Sequence, residues 1–205
     1  MPLRPLDETG KPLRPGLCTL HLDLTADGEK TSMALETFAI SVPARVYRLP
    51  ETATSTETVT EPVEVTVSAE ETLSTTNSLI TLAGFSLEQT RFVSGATIPL
   101  TLFWQTDGLI ETSYTVFVQM LDENGRLITQ QDQIPANGNR PTTGWVPGEF
   151  VEDRHALVLP VDVAPGHYQI ITGFYDAETG ERLRLADSSG DAITIPLSIE
   201  VKTAE

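Results

Sequence analysis

DENGRLITQQDQIPANGNRPTTGWVPGEFVEDRHALVLPVDVAPGHYQIITGFYDAETGERL, residues 122–183, decides the reading of this chain. Strand-like runs in it are separated by Asn124-Gly125, Pro147-Gly148, Pro165-Gly166 and Thr179-Gly180-Glu181. Glycine and proline at such intervals, between runs that alternate apolar and polar residues, are the pattern of an antiparallel sheet. Asn124-Gly125 is the strongest hairpin signal. It predicts a type I′ turn, which needs positive φ at both central residues.

Outward from this stretch the same pattern continues. Strands are predicted at 79–87, 96–105, 113–121, 126–134, 154–160, 167–176, 181–185 and 192–201. No segment carries a sustained 3.6-residue apolar stripe, which argues against helices. Short strands at this spacing predict an all-β fold: a two-sheet antiparallel β-sandwich over 79–203, Ig-like, with a jelly roll as the alternative. Alternation also predicts the core. The inward sets are Ile98, Leu100, Leu102 and Trp104; Tyr114, Val116, Val118 and Met120; Tyr168, Ile170, Thr172 and Phe174; and Ile193, Ile195, Leu197, Ile199 and Val201. Phe117 and Tyr175 are expected on the opposite faces.

Upstream, residues 1–50 read as an incomplete β segment with strands at 17–25 and 32–42, and a short third at 44–49. Pro15-Gly16 before LCTLHLDLT echoes Pro165-Gly166 before HYQIITGFYD, so this segment reads either as the end of an upstream sandwich repeat or as edge strands. Residues 51–78 form a linker: 51–77 are dense in Ser and Thr, hold six glutamates and lack Lys, Arg and aromatic residues. Val63–Val67 alternates and could add a strand, and an O-glycosylated stalk is the functional alternative for this stretch.

Composition narrows the function classes. The 205 residues carry 13 Lys plus Arg against 29 Asp plus Glu, a net charge of −16. Nucleic acid and anionic membranes both require a cationic face, so neither is an expected partner. No apolar run reaches the length of a membrane span. Cys18 is the only cysteine, so no intrachain disulfide forms. The polar, proline-rich N-terminus has no signal-peptide core. An extracytoplasmic role would make the chain a fragment or place its export signal elsewhere.

The runs IPLTLFWQT, YTVFVQMLDENGRLITQQDQIP, PTTGWVPGEFVEDRHALVLP and APGHYQIITGFYDAETGERL, in this order, resemble a bacterial sandwich module. It is similar to the C-terminal domain attached to multi-spanning glycosyltransferases of the protein-mannosyltransferase type, and to modules of surface proteins. The resemblance covers about residues 79–201. It implies an extracytoplasmic or cell-surface Ig-like sandwich within a larger protein. It brings no catalytic residues, because the family's chemistry lies in a membrane portion.

Few residues point to chemistry. There is no G-x-S-x-G elbow, and His21, His155 and His167 lack zinc-ligand spacing. Glu149 and Asp153 could act as paired acids only if they faced each other across a cleft. The expected function is therefore a non-enzymatic structural or interaction module, with a protein or a glycan at the cell surface as partner. The alternative is a carbohydrate-binding module using Trp145, in its proline-stiffened loop, with Asp153, Arg154 and His155 beside it. Trp145 otherwise caps an open end of the sandwich. No cofactor is expected, with calcium as the one admitted exception. Asp122, Glu123 and Asn124 are hard oxygen ligands, as are Asp176, Glu178 and Glu181, although a hairpin turn explains the first three without a metal. Arg140, Arg154 and Arg182 are expected to pair with the acidic loops.

Overall fold

The computed structural model describes residues 16–26, 29–40, 45–49, 72–75, 79–186 and 189–203. The chain divides into two compact units, the first ending at Ala44 and the second beginning at Arg45. In the first, β1 (Gly16–Ala26) pairs antiparallel with β2 (Glu29–Ile40), with a bulge between Leu20 and His21. The alternation over Val63–Val67 lies outside the described residues.

The second unit contains β3 (Thr72–Ser74), β4 (Leu79–Leu87), β5 (Arg91–Val93), β6 (Thr97–Thr106), β7 (Tyr114–Leu121), β8 (Leu127–Gln133), β9 (Val151–Val158), β10 (Gly166–Asp176), β11 (Arg184–Leu185) and β12 (Ile193–Lys202). They form two five-stranded sheets, β11-β3-β4-β6-β9 and β5-β12-β10-β7-β8. Every pairing is antiparallel except the one between β5 and β12. The order β12-β10-β7-β8 against β4-β6-β9 corresponds to strands G-F-C-C′ against A-B-E of an Ig-like sandwich. Tyr168, at the start of β10, donates its hydroxyl to the Ala164 carbonyl at 2.6 Å. This is the tyrosine corner that such sandwiches carry at the same strand.

The core follows the predicted alternation. Ile98, Leu102 and Trp104 are fully buried and Leu100 nearly so, and Val116, Val118, Met120, Ile170 and Phe174 join them between the sheets. Each large side chain removed from water contributes about 1.5–3 kcal/mol. Phe174 sits between two tryptophans, edge-to-face with Trp104 at 4.7 Å and with Trp145 at 6.0 Å. Phe117 is on the outer face as expected, yet it is only 1% exposed. Its ring lies over Gly173, where a Cβ would come within 2.7 Å of it. The Arg182 guanidinium stacks on the same ring, 4.0 Å from its centroid.

At the β8/β9 side, side chains replace a strand-to-strand ladder. Thr129 donates to the Val158 carbonyl, Gln133 donates to the Arg154 carbonyl, and the Ala156 N–H donates to Gln131. These bonds satisfy backbone groups of edge strand β9 that would otherwise invite pairing with another chain.

Several elements differ from the sequence reading: β5 falls in no predicted strand, and β11 begins at Arg184 rather than 181. Thr72–Ser74, expected within the linker, is a strand between β11 and β4, and its Leu73 is fully buried. Residues 45–49, expected within the N-terminal segment, fall in the second unit, where Val46 bridges to Phe150. β9 begins at Val151 rather than 154.

The Asn124-Gly125 turn is also of a different type. Among the described residues, only Ala136 and Asn137 are non-glycine residues with positive φ, so Asn124 is not left-handed. Gly125 has φ 75° and donates to the Asp122 carbonyl, and Asp122 donates to the Arg126 carbonyl. The hairpin is therefore a type I turn closed by a left-handed glycine. No atom lies within 4 Å of a Cβ at Gly125. Gly125→Val should consequently lose about 1–2 kcal/mol through backbone strain alone, while Asn124→Ala should lose much less. Urea denaturation of both variants checks this, and equal losses would restore the type I′ assignment.

Candidate functional site

The connection from β8 to β9 gathers the charged residues. Glu149 is fully buried. Its Oε2 meets Arg45 Nη1 at 2.7 Å and Arg140 Nη2 at 2.8 Å, and its Oε1 accepts the Val146 N–H at 2.9 Å. The Arg140 carbonyl in turn accepts the Trp145 indole N–H at 2.9 Å. Thr142, also fully buried, donates to the Thr112 carbonyl and accepts the Tyr114 N–H. The connection is thus tied to itself, to β7 and to the segment at 45–49.

A second polar group lies at β9. Asp153 and His155 point inward between apolar neighbours, with side chains at 0% exposure and 2.8 Å between Oδ2 and Nε2. Asp153 Oδ1 accepts from Gln133 and from the Ala136 N–H. That second bond holds a turn in which Ala136, Asn137 and Gly138 are all left-handed, with φ of 54°, 53° and 85°. His155 Nδ1 is buried without a hydrogen-bond partner.

These placements revise the ligand set. Trp145 is 1% exposed and offers no face on which a sugar ring could stack. Asp153 and His155 are enclosed as well, and each serves the other. Arg154 is exposed and pairs with Glu152 at 2.6 Å. The burial of Trp145 matches the capping reading; the carbohydrate-binding alternative took loop position and polarity as signs of exposure. Glu149 and Asp153, weighed as an acid pair, instead hold separate internal partners. Of the arginines expected to pair with acidic loops, Arg140 pairs with Glu149 and Arg182 with Asp191 at 3.6 Å, whereas Arg154 pairs with Glu152 on its own strand.

Asp122 Oδ1 accepts the N–H groups of Asn124 and Arg126, so its carboxylate shapes the hairpin. Asp176 does the same for Glu178. Among the described residues, no group of three or more His, Cys, Asp or Glu side chains is placed to hold a metal ion. Nor is any helix there long and apolar enough to cross a membrane.

Open space lies at the two ends of the sandwich. At the β7–β8 hairpin end, a cleft of ≈ 400 Å³ is walled by Asp122, His167, Tyr168 and Ser198. A second one of ≈ 310 Å³ lies between Arg126 and Asp162. At the opposite end a cleft of ≈ 460 Å³ opens where the chain leaves β10 and crosses to β11. Its wall includes Thr112, Tyr114, Asp176, Glu181, Arg182 and Arg184. Two shifted titrating groups lie elsewhere. Burial, then the Asp132 carboxylate, pushes the Tyr175 phenol above its usual range. The hydrogen bond from Arg91 holds Glu200 below the usual carboxylate range.

No protein-family model matches this sequence, and no curated protein does. Among solved structures, the chain is similar to the C-terminal domain of wzt, with TM-score 0.46 and 10% identity, over 62% of this chain and 75% of that one. It is also similar to the CARDB domain of a Pyrococcus furiosus protein, in complex with di-metal ions, with TM-score 0.36 and 14% identity, over 67% and 100%. A family 123 glycoside hydrolase from Clostridium perfringens matches with TM-score 0.34 and 13% identity, over 56% of this chain and 22% of that one. None of the three carries a function to this chain.

Proposed function

We propose that this chain is a non-enzymatic interaction module of a larger envelope or surface protein, acting outside the cytoplasm through the loop end of its sandwich. One contrast carries the reading. The buried polar groups Glu149, Asp153 and His155 are occupied in bracing the β8–β9 connection, whereas the cleft beside β11 keeps exposed charged side chains turned to solvent. A braced frame that presents open clefts between its loops suits binding, because loops held by a rigid scaffold lose less ordering entropy on contact. The net charge of −16 disfavours polyanionic partners.

Protease added to intact producing cells should digest the protein. A photo-crosslinking residue at Glu178, beside the cleft, should capture a partner there, while one at Val161, at the other end and 83% exposed, should not. Digestion only after lysis would overturn the location, and equal capture from both ends would overturn the assignment to the loop end.

A further inference from the structure

We infer that β1 and β2 are the closing hairpin of a second sandwich of the same type, whose other strands come from polypeptide upstream of this chain; this rests on the reading of the chain as part of a larger protein. In the first unit β1 pairs only with β2, and neither strand belongs to a sheet of the second unit. A two-stranded ribbon by itself is at best marginally stable in water. It needs a further layer to bury an apolar face.

Backbone register gives the ribbon such a face. Directly opposite residues of an antiparallel pair share a face. Cys18, Leu20, Leu22 and Leu24 fall on one face, with Phe38, Glu36, Met33 and Thr31 opposite them. Thr19, His21, Asp23 and Thr25 fall on the other, with Thr37, Ala34, Ser32 and Lys30 opposite. The bulge contributes to this sorting. From Leu20 to His21, β1 advances one residue while β2 drops two, from Glu36 to Ala34. Met33 thereby stands opposite Leu22, where an unbroken ladder would set Ala34. Met33 is 53% exposed, so the face is open there.

The hairpin of β10 and β12 in the second unit is built the same way. Each first strand starts at the glycine of a Pro-Gly pair, Gly16 in β1 and Gly166 in β10. The second, fourth, sixth and eighth residues after Gly166 are Tyr168, Ile170, Thr172 and Phe174, all buried. The same places after Gly16 hold Cys18, Leu20, Leu22 and Leu24. In β10 and β12, too, the register shifts just beyond the glycine, with the extra residues on the second strand: β10 advances two, from Gln169 to Ile171, while β12 drops four, from Ser198 to Thr194. The hairpins differ at Cys18, which stands where Tyr168 makes its corner, and in the connection, which carries β11 only in the second unit.

This match says what covers the open face. In the second unit β7 and β5 flank the hairpin, and β4, β6 and β9 lie in the opposite sheet. All five precede β10 in the chain. Their counterparts for β1 and β2 would precede Gly16. Only residues 1–15 stand there, against residues 79–158 for β4 to β9. The missing strands therefore belong to upstream polypeptide. A second copy of this chain is a poorer cover, because two chains of net charge −16 repel each other.

Hydrogen exchange tests this on the 205-residue chain and on a chain extended upstream by the about 100 native residues encoded before it, the size of one such sandwich. In the 205-residue chain the amides of β1 and β2 should exchange as fast as those of an unstructured peptide, while those of β10 and β12 exchange slowly. Extension should slow the β1 and β2 amides by at least about a thousandfold. Leu22→Asp in the extended chain should return them to fast exchange. Slow exchange of β1 and β2 without the extension would overturn the assignment. If independent of concentration, it would mean that the 205-residue chain stabilises its own ribbon; if it grew with concentration, a second copy would be the cover. Fast exchange that persists after extension, slow exchange that survives Leu22→Asp, or a gene that begins at Met1 would overturn it as well. None of these results bears on the Glu178 crosslink, so capture there would leave the interaction module standing without the upstream sandwich.

Discussion

Replacing Glu149 by alanine should destabilise the sandwich by about 3–5 kcal/mol, the cost of removing one member of a buried ion pair. The carboxylate is fully buried and serves three donors, so its loss strands Arg45, Arg140 and the Val146 N–H together. The Arg45 and Arg140 side chains are 9% and 15% exposed. Partial access to water lets both guanidinium groups recover some solvation, which puts the expectation at the lower end of that range. Arg45→Ala should lose less than Glu149→Ala, because Arg140 still neutralises the carboxylate. Urea denaturation of both single variants and the double variant measures the coupling. A loss below about 1 kcal/mol for Glu149→Ala would mean that the carboxylate finds water in solution. The same pair bears on domain dissection: a fragment beginning at Leu79 lacks Arg45 and β3, and so lacks both a partner of Glu149 and the strand between β4 and β11.

Trp145→Ala should cost about 3–5 kcal/mol, the usual range for emptying a buried aromatic site. The ring is 1% exposed, packs edge-on against Phe174 and donates its N–H to the Arg140 carbonyl. Its fluorescence, read in a Trp104→Phe background, should be blue-shifted and indifferent to added sugars. A normal melting temperature in Trp145→Ala would contradict the cap, and a sugar-dependent spectrum would return Trp145 to the binding surface. Because Arg140 bonds Glu149 through its side chain and Trp145 through its carbonyl, the two losses should not add. A combined variant should lose less than the sum, since either change already frees the loop.

Much of the frame was legible because strand geometry is local. Successive side chains point to opposite faces, so Ile98, Leu100, Leu102 and Trp104 could be placed inward without knowing their neighbours, and Phe117 outward. The same rule failed at β9. Asp153 and His155 occupy inward positions, and the strand predicted from 154 left Asp153 outside it. What makes those positions tolerable is Gln133 of β8 and the N–H of Ala136, groups that no pattern within 151–158 contains.

The Asn124-Gly125 signal located a hairpin correctly and mistook its type. Turn type depends on how many residues the paired strands leave between them, and that register is set across β7 and β8. Tyr168 could have been found from the sequence, as an aromatic residue entering a strand just after a Pro-Gly turn.

By itself, then, the sequence determined most of the strands, their inward faces outside β9 and the all-β class, because a two-residue period follows from the backbone of each strand alone. Only the tertiary structure decided that Trp145 is core, that Arg45 closes on a carboxylate 104 residues away, and that Arg182 and Arg184 meet Asp176 and Glu181 around one opening. The meaning of a charged or aromatic side chain depends on which strands lie beside it, and adjacency between distant strands leaves no period to read.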